Sequence, residues 1–421
     1  MSAVPRLLRG VRSDATLTLD EHLSLHGALA ATGRDAGARI LDAVEQSGLR
    51  GRGGGHVSTA LKLRAVASRR GRAVVVANGA ESEPASRKDA VLLTHAPHLV
   101  IDGAVAAATA VRADEAVLYV KPSAVRSWQA VTRALAERRG ADNGGVTLRV
   151  AAAGNGYVTG QETAVIAALN DRPALPSTVP PRPFERGVRN RPTLVCNVET
   201  LAHMALIARH GPEWFRSVGS ASQPGTALVT LGGAVERTGV YEIPFGSPLA
   251  DLLHRAGGTT EAPQALLVGG YGGTWLDARH LDDLMLGAED PLLAAGSIGA
   301  GVLWVLGERS CGVRESARIL GYLAEQSAGQ CGPCLYGLRA IAATFDELAT
   351  GSAGPKDRAR LARWGAEVTD RGACRHPDGA ARLLATALTV FEQEMDRHTA
   401  GRCAAALPPA MPVPAADREA A

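Results

Sequence analysis

With 421 residues, 46% apolar and 21% charged, the chain is long enough for two or three domains around full hydrophobic cores. Its net charge of +3 comes from scattered arginines with no basic run interleaved with aromatics, which excludes a nucleic-acid-binding surface. There are 48 glycines against 4% aromatic residues, an excess that backbone-lined ligand loops or a GC-rich genome would each produce.

In chain order, the opening Met1-Ser2-Ala3-Val4-Pro5 lacks the basic and apolar regions of a signal peptide. Residues 1–37 read as a polar, loosely organised lead-in. A helix is expected from Ala38 to Ser47, breaking at Gly48, and a second from Thr59 to Ser68, capped by Ser58. The β-rich run Ala73–Ala77 follows. The pattern then alternates: helix His98–Val111, strand Ala116–Val120, helix Ala124–Glu137, strand Val146–Ala151. Such alternation predicts a mainly parallel sheet covered on both faces. The segment Ala104–Val111 is the most apolar helix candidate and is too short to cross a bilayer. A cytoplasmic protein is therefore expected, with six cysteines that are not disulfides.

From Arg172 to Pro192 proline and arginine dominate, as in an extended crossing segment. Strands at Gly225–Leu231 and Val240–Ile243, a helix at Pro248–Ala256 and a strand at Ala265–Val268 suggest a small β-grasp unit. After Arg314 the chain turns helical, and Leu384, Leu388, Phe391 and Met395 form one apolar stripe of a bundle. The Ala/Pro-rich tail, 404–421, reads as disordered.

Three glycine-bearing turns lie near strand or helix ends. Gly51–Gly55 opens onto the helix at Thr59, where free backbone N–H groups attract anions; His56 rules out a dinucleotide fingerprint. Asn78–Asp89 follows a strand, and Asn78, Glu81 and Glu83 stand where open α/β sheets bind ligands; a solvated acidic turn reads the residues equally well. Gly154–Thr163 places Tyr157 and the pair Gln161-Glu162 between glycines, as suits a flat polar heteroaromatic ring, or simply a capped glycine-rich turn.

In the C-terminal third, Cys331-Gly332-Pro333-Cys334 is answered by Cys374. A redox dithiol would need a βαβ context, and zinc would need four ligands, for which His376 is a poor candidate. Three thiolates hold a [3Fe–4S] cluster, or a cube with one iron bound otherwise; inert cysteines in a decayed site are the rival. Cys311 is the one spare thiol of the region, while Cys196 and Cys403 have no local partner in sequence.

Taken together, these motifs resemble, in order, those of the NADH-binding flavoprotein subunit of respiratory NADH:quinone oxidoreductase and its relatives in soluble hydrogenases and formate dehydrogenases. Arg50-Gly51-Arg52-Gly53-Gly54 is similar to that family's flavin loop, with Lys62 after it. Asn78, Glu81, Glu83, Pro84, Lys88 and Asp89 match its acidic stretch, and Tyr157, Gly160, Glu162 and Thr163 match its third loop. Asn197-Val198-Glu199-Thr200-Leu201 matches letter for letter. The resemblance covers roughly residues 38–400.

It implies an α/β fold with a mainly parallel, Rossmann-like FMN-binding domain at 38–220. A ubiquitin-like β-grasp domain of the soluble-ligand-binding type would occupy 221–310, and a helical iron–sulfur domain 311–403. The implied FMN ligands are Gly51, Arg52, Gly53, Gly54, Lys62, Asn78, Glu81, Tyr157, Gly160, Glu162, Asn197 and Thr200. Gln161 and Glu162 would face the reacting dinucleotide, and Cys331, Cys334 and Cys374 would ligate the cluster. Departures gather at the chemistry: His56 for a glycine, Val57 for a stacking phenylalanine, Ala80 for an aspartate, Gln161 for a glutamate, Cys196 for an asparagine and Ala328 for the first cluster cysteine.

The implied activity is electron transfer from NAD(P)H through FMN to the iron–sulfur centre, then to a ferredoxin-like protein or a membrane oxidoreductase. The departures keep two rivals open: a non-catalytic scaffold subunit, and an FMN reductase with another donor.

Overall fold

The computed structural model describes residues 5–29, 33, 35–287, 290–293, 298–403 and 405–414. Near the N-terminus Thr18 and Glu21 form a reciprocal capping box that starts α1 (Leu19–His26). This corrects the loose lead-in expected up to Gly37, of which residues 1–4, 30–32 and 34 lie outside the described set. The segment is polar in composition, yet its few anchors find distant partners. Leu7 is buried, Glu242 accepts the amides of Arg6, Leu7 and Leu8, and buried His22 pairs with Asp102 at 2.7 Å.

The first unit then runs α2 (Ala36–Ser47), α3 (Thr59–Ala67), β1 (Ala73–Gly79), α4 (Lys88–His95), α5 (Pro97–Val111), β2 (Ala113–Val120), α6 (Val125–Glu137), β3 (Thr147–Ala152), α7 (Glu162–Ala168), β4 (Thr193–Asn197) and α8 (Val198–Arg216). The four strands form a parallel sheet in the order β3-β2-β1-β4. Alternation along β1 supplies both cores. Val75 and Ala77 pack with α2, α3, α5 and α8, while Val74 and Val76 pack with Val165 and Ile166 of α7. The α5–α8 crossing is so close that a Cβ on Gly103 would fall 1.9 Å from the Leu201 carbonyl oxygen, so only glycine fits.

Among the described residues no single helix is long and apolar enough to cross a membrane. Only α4 and α5 together pass by composition, and they are bent by 97° with α5 packed inside the protein.

The second unit contains β5 (Thr226–Gly233), β6 (Gly239–Pro244), β7 (Ser247–Pro248), α9 (Leu249–Arg255), β8 (Pro263–Val268), β9 (Thr274–Asp277), β10 (Met285–Leu286) and β11 (Val302–Gly307). Its main sheet runs β6-β5-β11-β8-β9, with β11 parallel to β5 and the other neighbours antiparallel, as in a β-grasp. The third unit is helical: α10 (Gly312–Glu325), a π-helical turn at Pro333–Leu338 leading into α11 (Arg339–Thr350), α12 (Pro355–Val368), α13 (His376–Val390) and α14 (Glu392–Thr399).

The predicted stripe is buried at Leu384, Phe391 and Met395, but it spans two helices because the backbone turns at Phe391. The tail also differs from expectation where it is described. Met411 is buried, its amide and that of Ala410 bond Glu315, and the Arg309 carbonyl accepts the amides of Ala406 and Leu407. Residue 404 and residues 415–421 lie outside the described set.

Candidate functional site

Connections from β1 run one way to β2 and β3, whereas β4 joins on the other side. The strand order therefore reverses between β1 and β4, and a crevice opens outside their carboxyl ends. Asn78, next to last in β1, and Asn197, the last residue of β4, pair in register. The Gly51–Gly55 loop lies in front of them, so close that a Cβ on Gly53 would approach the Cβ of Asn197 to 3.2 Å.

Several predicted ligands make bonds within the protein around this crevice. Thr200 Oγ1 accepts the Arg52 amide at 2.8 Å, and the buried Arg52 guanidinium donates to the Thr226 carbonyl. Glu81 accepts the amides of Asp89 and Ala90 at 3.0 Å. Asn197 donates to Asp89 at 2.6 Å and caps α8 by accepting the Glu199 amide. Asn78 donates to the Gly160 carbonyl at 2.8 Å, tying the third loop to β1.

Below them lies a buried charge cluster that the motifs contained but that received no role from sequence. Lys88 bonds Asp89 at 2.7 Å and Glu199 at 2.9 Å, and Glu199 accepts the Leu228 amide of the β-grasp unit. Burial opposes the charge on Lys88, but Asp89 and Glu199 outweigh it and keep the ammonium protonated.

What remains for a ligand is a glycine cradle. Gly53, Gly54 and Gly55 are exposed, and their amides have no protein acceptor among the described residues. Gly54 adopts φ +93°, a conformation natural to glycine. Lys62 stands at one side, donating to the Val195 carbonyl at 2.6 Å and to Glu162. Burial works against its charge, yet buried Cys196 and Glu162 hold it above its ordinary range. Free N–H donors, an ammonium and missing Cβ atoms suit a flat anionic ligand such as a flavin phosphate, so the residues present fit FMN. A separate cavity of about 580 Å³ near β3, lined by Arg149, Asn170 and Arg189 among others, includes no predicted cofactor ligand.

His56 does not fill the cradle. It takes φ +45°, and its ring lies edge-on to Phe245 at 6.2 Å, against the β-grasp unit. Burial, reinforced by Arg52 and Arg50, brings its pKa down to about 4, so it is neutral at ordinary pH. Val57 is 51% exposed. Gln161 precedes α7 as its N-cap residue without a capping side-chain bond.

The third loop reaches the helical unit. Tyr157 donates its hydroxyl to Glu83 at 3.2 Å, and its amide donates to Gln326 at 2.9 Å. Its ring lies 5.5 Å from His376 and 5.9 Å from Tyr322. Gln326 leads into the cysteine loop, and His376, which bonds the Leu323 carbonyl, is two residues from Cys374. This junction was not legible in sequence, because its members come from three units.

Burial pushes the Glu83 carboxyl up to about 7 from its ordinary 4.5, against hydrogen bonds from Tyr271, Ala85 and Tyr157. Between these values the folded chain holds a proton that the unfolded chain has lost. Stability should therefore fall as pH rises from about 4.5 to about 7, by at most about 3 kcal/mol. A Glu83→Gln variant should flatten this slope and unfold at a higher temperature than wild type at pH 8; an unchanged slope contradicts the assignment.

Cys331 and Cys334 flank the start of the π-helical turn, where Leu335 donates its amide to the Cys331 carbonyl at 3.0 Å. Burial and the neighbouring Cys331 and Cys374 thiols push Cys334 up to about 12, and burial followed by Cys331 raises Cys374. Cys334 thus has Cys331 and Cys374 for neighbours, although the three sulfurs do not all come within 4.8 Å of one another, and Ala328 offers no ligand. Three corners of a cluster fit these residues, with one iron left without a protein thiolate from this loop. Cys311 is not that ligand. It caps the start of α10, a helix of 14 residues and about 21 Å, while the cysteine loop follows its far end.

Three family models match successive parts of the chain. Residues 44–206 match the Nuo51 FMN-binding domain, 228–273 the SLBB domain, and 314–398 the NADH-ubiquinone oxidoreductase-F iron–sulfur binding region. The chain is 33% identical to the NADH-quinone oxidoreductase F subunit of Mycobacterium tuberculosis strain H37Rv over 86% of its length and 85% of the relative. The Aquifex aeolicus protein of the same name is 28% identical, over 93% of this chain and 94% of that one. An NAD+-reducing [NiFe]-hydrogenase crystallised in the H2-reduced state superposes with a TM-score of 0.82 at 30% identity, over 94% of this chain and 66% of that one.

Proposed function

The chain belongs to the family of the NADH-quinone oxidoreductase F subunits, and from that premise we propose that it passes electrons from NADH, through FMN at the β1/β4 switch point, to an iron–sulfur centre on Cys331, Cys334 and Cys374. The observation that carries this reading is the open glycine cradle at the switch point, joined through Tyr157 and Gln326 to the cysteine loop. Bound FMN would supply hydride acceptance and one-electron release, and the cluster single-electron acceptance.

The protein's own residues bind and orient. The Gly53–Gly55 amides and Lys62 receive the anionic parts of the flavin, while Asn78 and Glu162 fix the third loop and the Lys62 ammonium beside it. Arg52, Glu81, Asn197 and Thr200 set the cradle's shape from beneath. Gln161 brings no charge towards the dinucleotide, so discrimination between NADH and NADPH by carboxylate repulsion is absent. Cys331, Cys334 and Cys374 would hold either a [3Fe–4S] centre, one thiolate to each iron, or a cube whose fourth iron takes a non-thiolate ligand. Electrons leave to a separate redox protein, ferredoxin-like or membrane-attached, and the chain works in the cytoplasm.

Protein purified without oxygen and then denatured should release about one FMN and about three to four irons per chain. Colourless protein releasing neither would overturn the reading in favour of a scaffold. The exposed Val57, in place of an aromatic ring, favours a second reading in which the same cofactors are reduced by a donor other than NADH.

A further inference from the structure

Cys311 and Cys403, which lack partners in the sequence, meet at the far end of α10 from the cluster loop. Cys311 Sγ sits at the helix N-cap, buried, and accepts the Arg314 amide at 3.3 Å. His398 Nε2 approaches this sulfur to 3.3 Å. The other ring nitrogen, Nδ1, lies 2.7 Å from the Ala349 carbonyl. A carbonyl oxygen only accepts, so Nδ1 carries a proton and Nε2 is the ring nitrogen that faces the sulfur. That is how a metal-bound imidazole is ordinarily oriented by its outer partner.

The turn after α14 brings in the third group. The amides of Gly401 and Arg402 bond the carbonyls of His398 and Arg397, and those of Ala406 and Leu407 bond the Arg309 carbonyl. The chain is thereby folded back, and the ligand atoms of Cys311, His398 and Cys403 all lie within 4.8 Å of one another. Zinc at about 2.3 Å from sulfur and about 2.0 Å from nitrogen, in tetrahedral geometry, needs ligand separations of roughly 3.5–3.8 Å, which small side-chain adjustments supply.

A fourth oxygen ligand is at hand. Glu394 lies one helical turn before His398 on the same face of α14, is buried, and accepts the amide of Gly312, the residue after Cys311, at 3.3 Å.

We propose that Cys311, His398 and Cys403, with Glu394 or a water it holds as the fourth ligand, form a zinc-type site that pins the end of α14 and the following tail to the start of α10. Two thiolates, an imidazole and a carboxylate are a donor set for zinc rather than for calcium or magnesium. Two thiol protons leave to solvent on binding, and no oxidation occurs.

Full-length protein purified from zinc-supplemented cells without chelator should contain about one zinc per chain besides its iron. Cys311→Ser and Cys403→Ser should each lose the zinc while keeping iron. Cys331→Ser should do the reverse, which separates this site from the cluster. Cys403 is exposed, so its variant tests the site without disturbing the core. Wild-type protein that takes up no zinc, zinc content unchanged in both Cys311→Ser and Cys403→Ser, or a Cys311–Cys403 disulfide in peptide maps of protein purified anaerobically would each overturn the proposal.

Discussion

Cys334→Ala, purified without oxygen, is expected to lose its iron and acid-labile sulfide almost completely while retaining FMN at the wild-type level. Cys334 is the most buried of the three predicted thiols and lies in the first turn of the π-helical segment, with Cys331 just before it and Cys374 on the approach to α13. With the first cysteine of the family pattern already replaced by Ala328, removing Cys334 leaves two thiolates, too few to hold a cluster. The flavin cradle lies in another unit and should not notice the change. The converse substitution, Ala328→Cys, should raise the iron content towards about four per chain and slow loss of the cluster in air. Iron unaffected by Cys334→Ala would mean that the metal sits elsewhere in the chain.

The second large effect concerns stability and flavin together. Glu199→Gln removes a buried carboxylate that bonds Lys88, faces Arg52 at 3.9 Å and accepts the Leu228 amide. Lys88 and Arg52 then lose the carboxylate they share, and breaking such a buried pair costs about 3–5 kcal/mol. Arg52 belongs to the glycine loop, so flavin affinity should fall along with the unfolding temperature. Replacing both partners, as Lys88→Met with Glu199→Leu, should recover part of the stability, because paired removal leaves less charge uncompensated. A Glu199→Gln protein as stable and as yellow as wild type would show that the network carries neither load.

The parallel sheet and the three loops were legible because each depends on local pattern: Val74–Val76 for β1, glycines at its mouth, and an Asn at the end of each switch-point strand. The β-grasp and the cysteine pair were legible for the same reason. Roles within the site were less so. Asn197, Glu81 and Thr200 look like ligands in sequence, and their bonds to amides and side chains depend on neighbours that only the folded chain brings near.

Tyr157 looks in sequence like a ring-facing residue, whereas its hydroxyl and ring join the flavin side to the helical unit. The lead-in and the tail look loose because composition does not reveal that Glu242 and Glu315 bind their amides across more than ninety residues. Cys311 and Cys403 look incidental for the same reason: their meeting depends on the turn after α14.

The central claim is that this chain still takes electrons from NADH despite the changes at Val57, Gln161 and Ala328. Anaerobic titration of the purified protein with NADH, followed by visible absorbance, tests it most directly. The account predicts that the flavin bands and the broad iron–sulfur absorption bleach together within the first few equivalents of NADH. Bands that stay unbleached by excess NADH and disappear only with dithionite would contradict it.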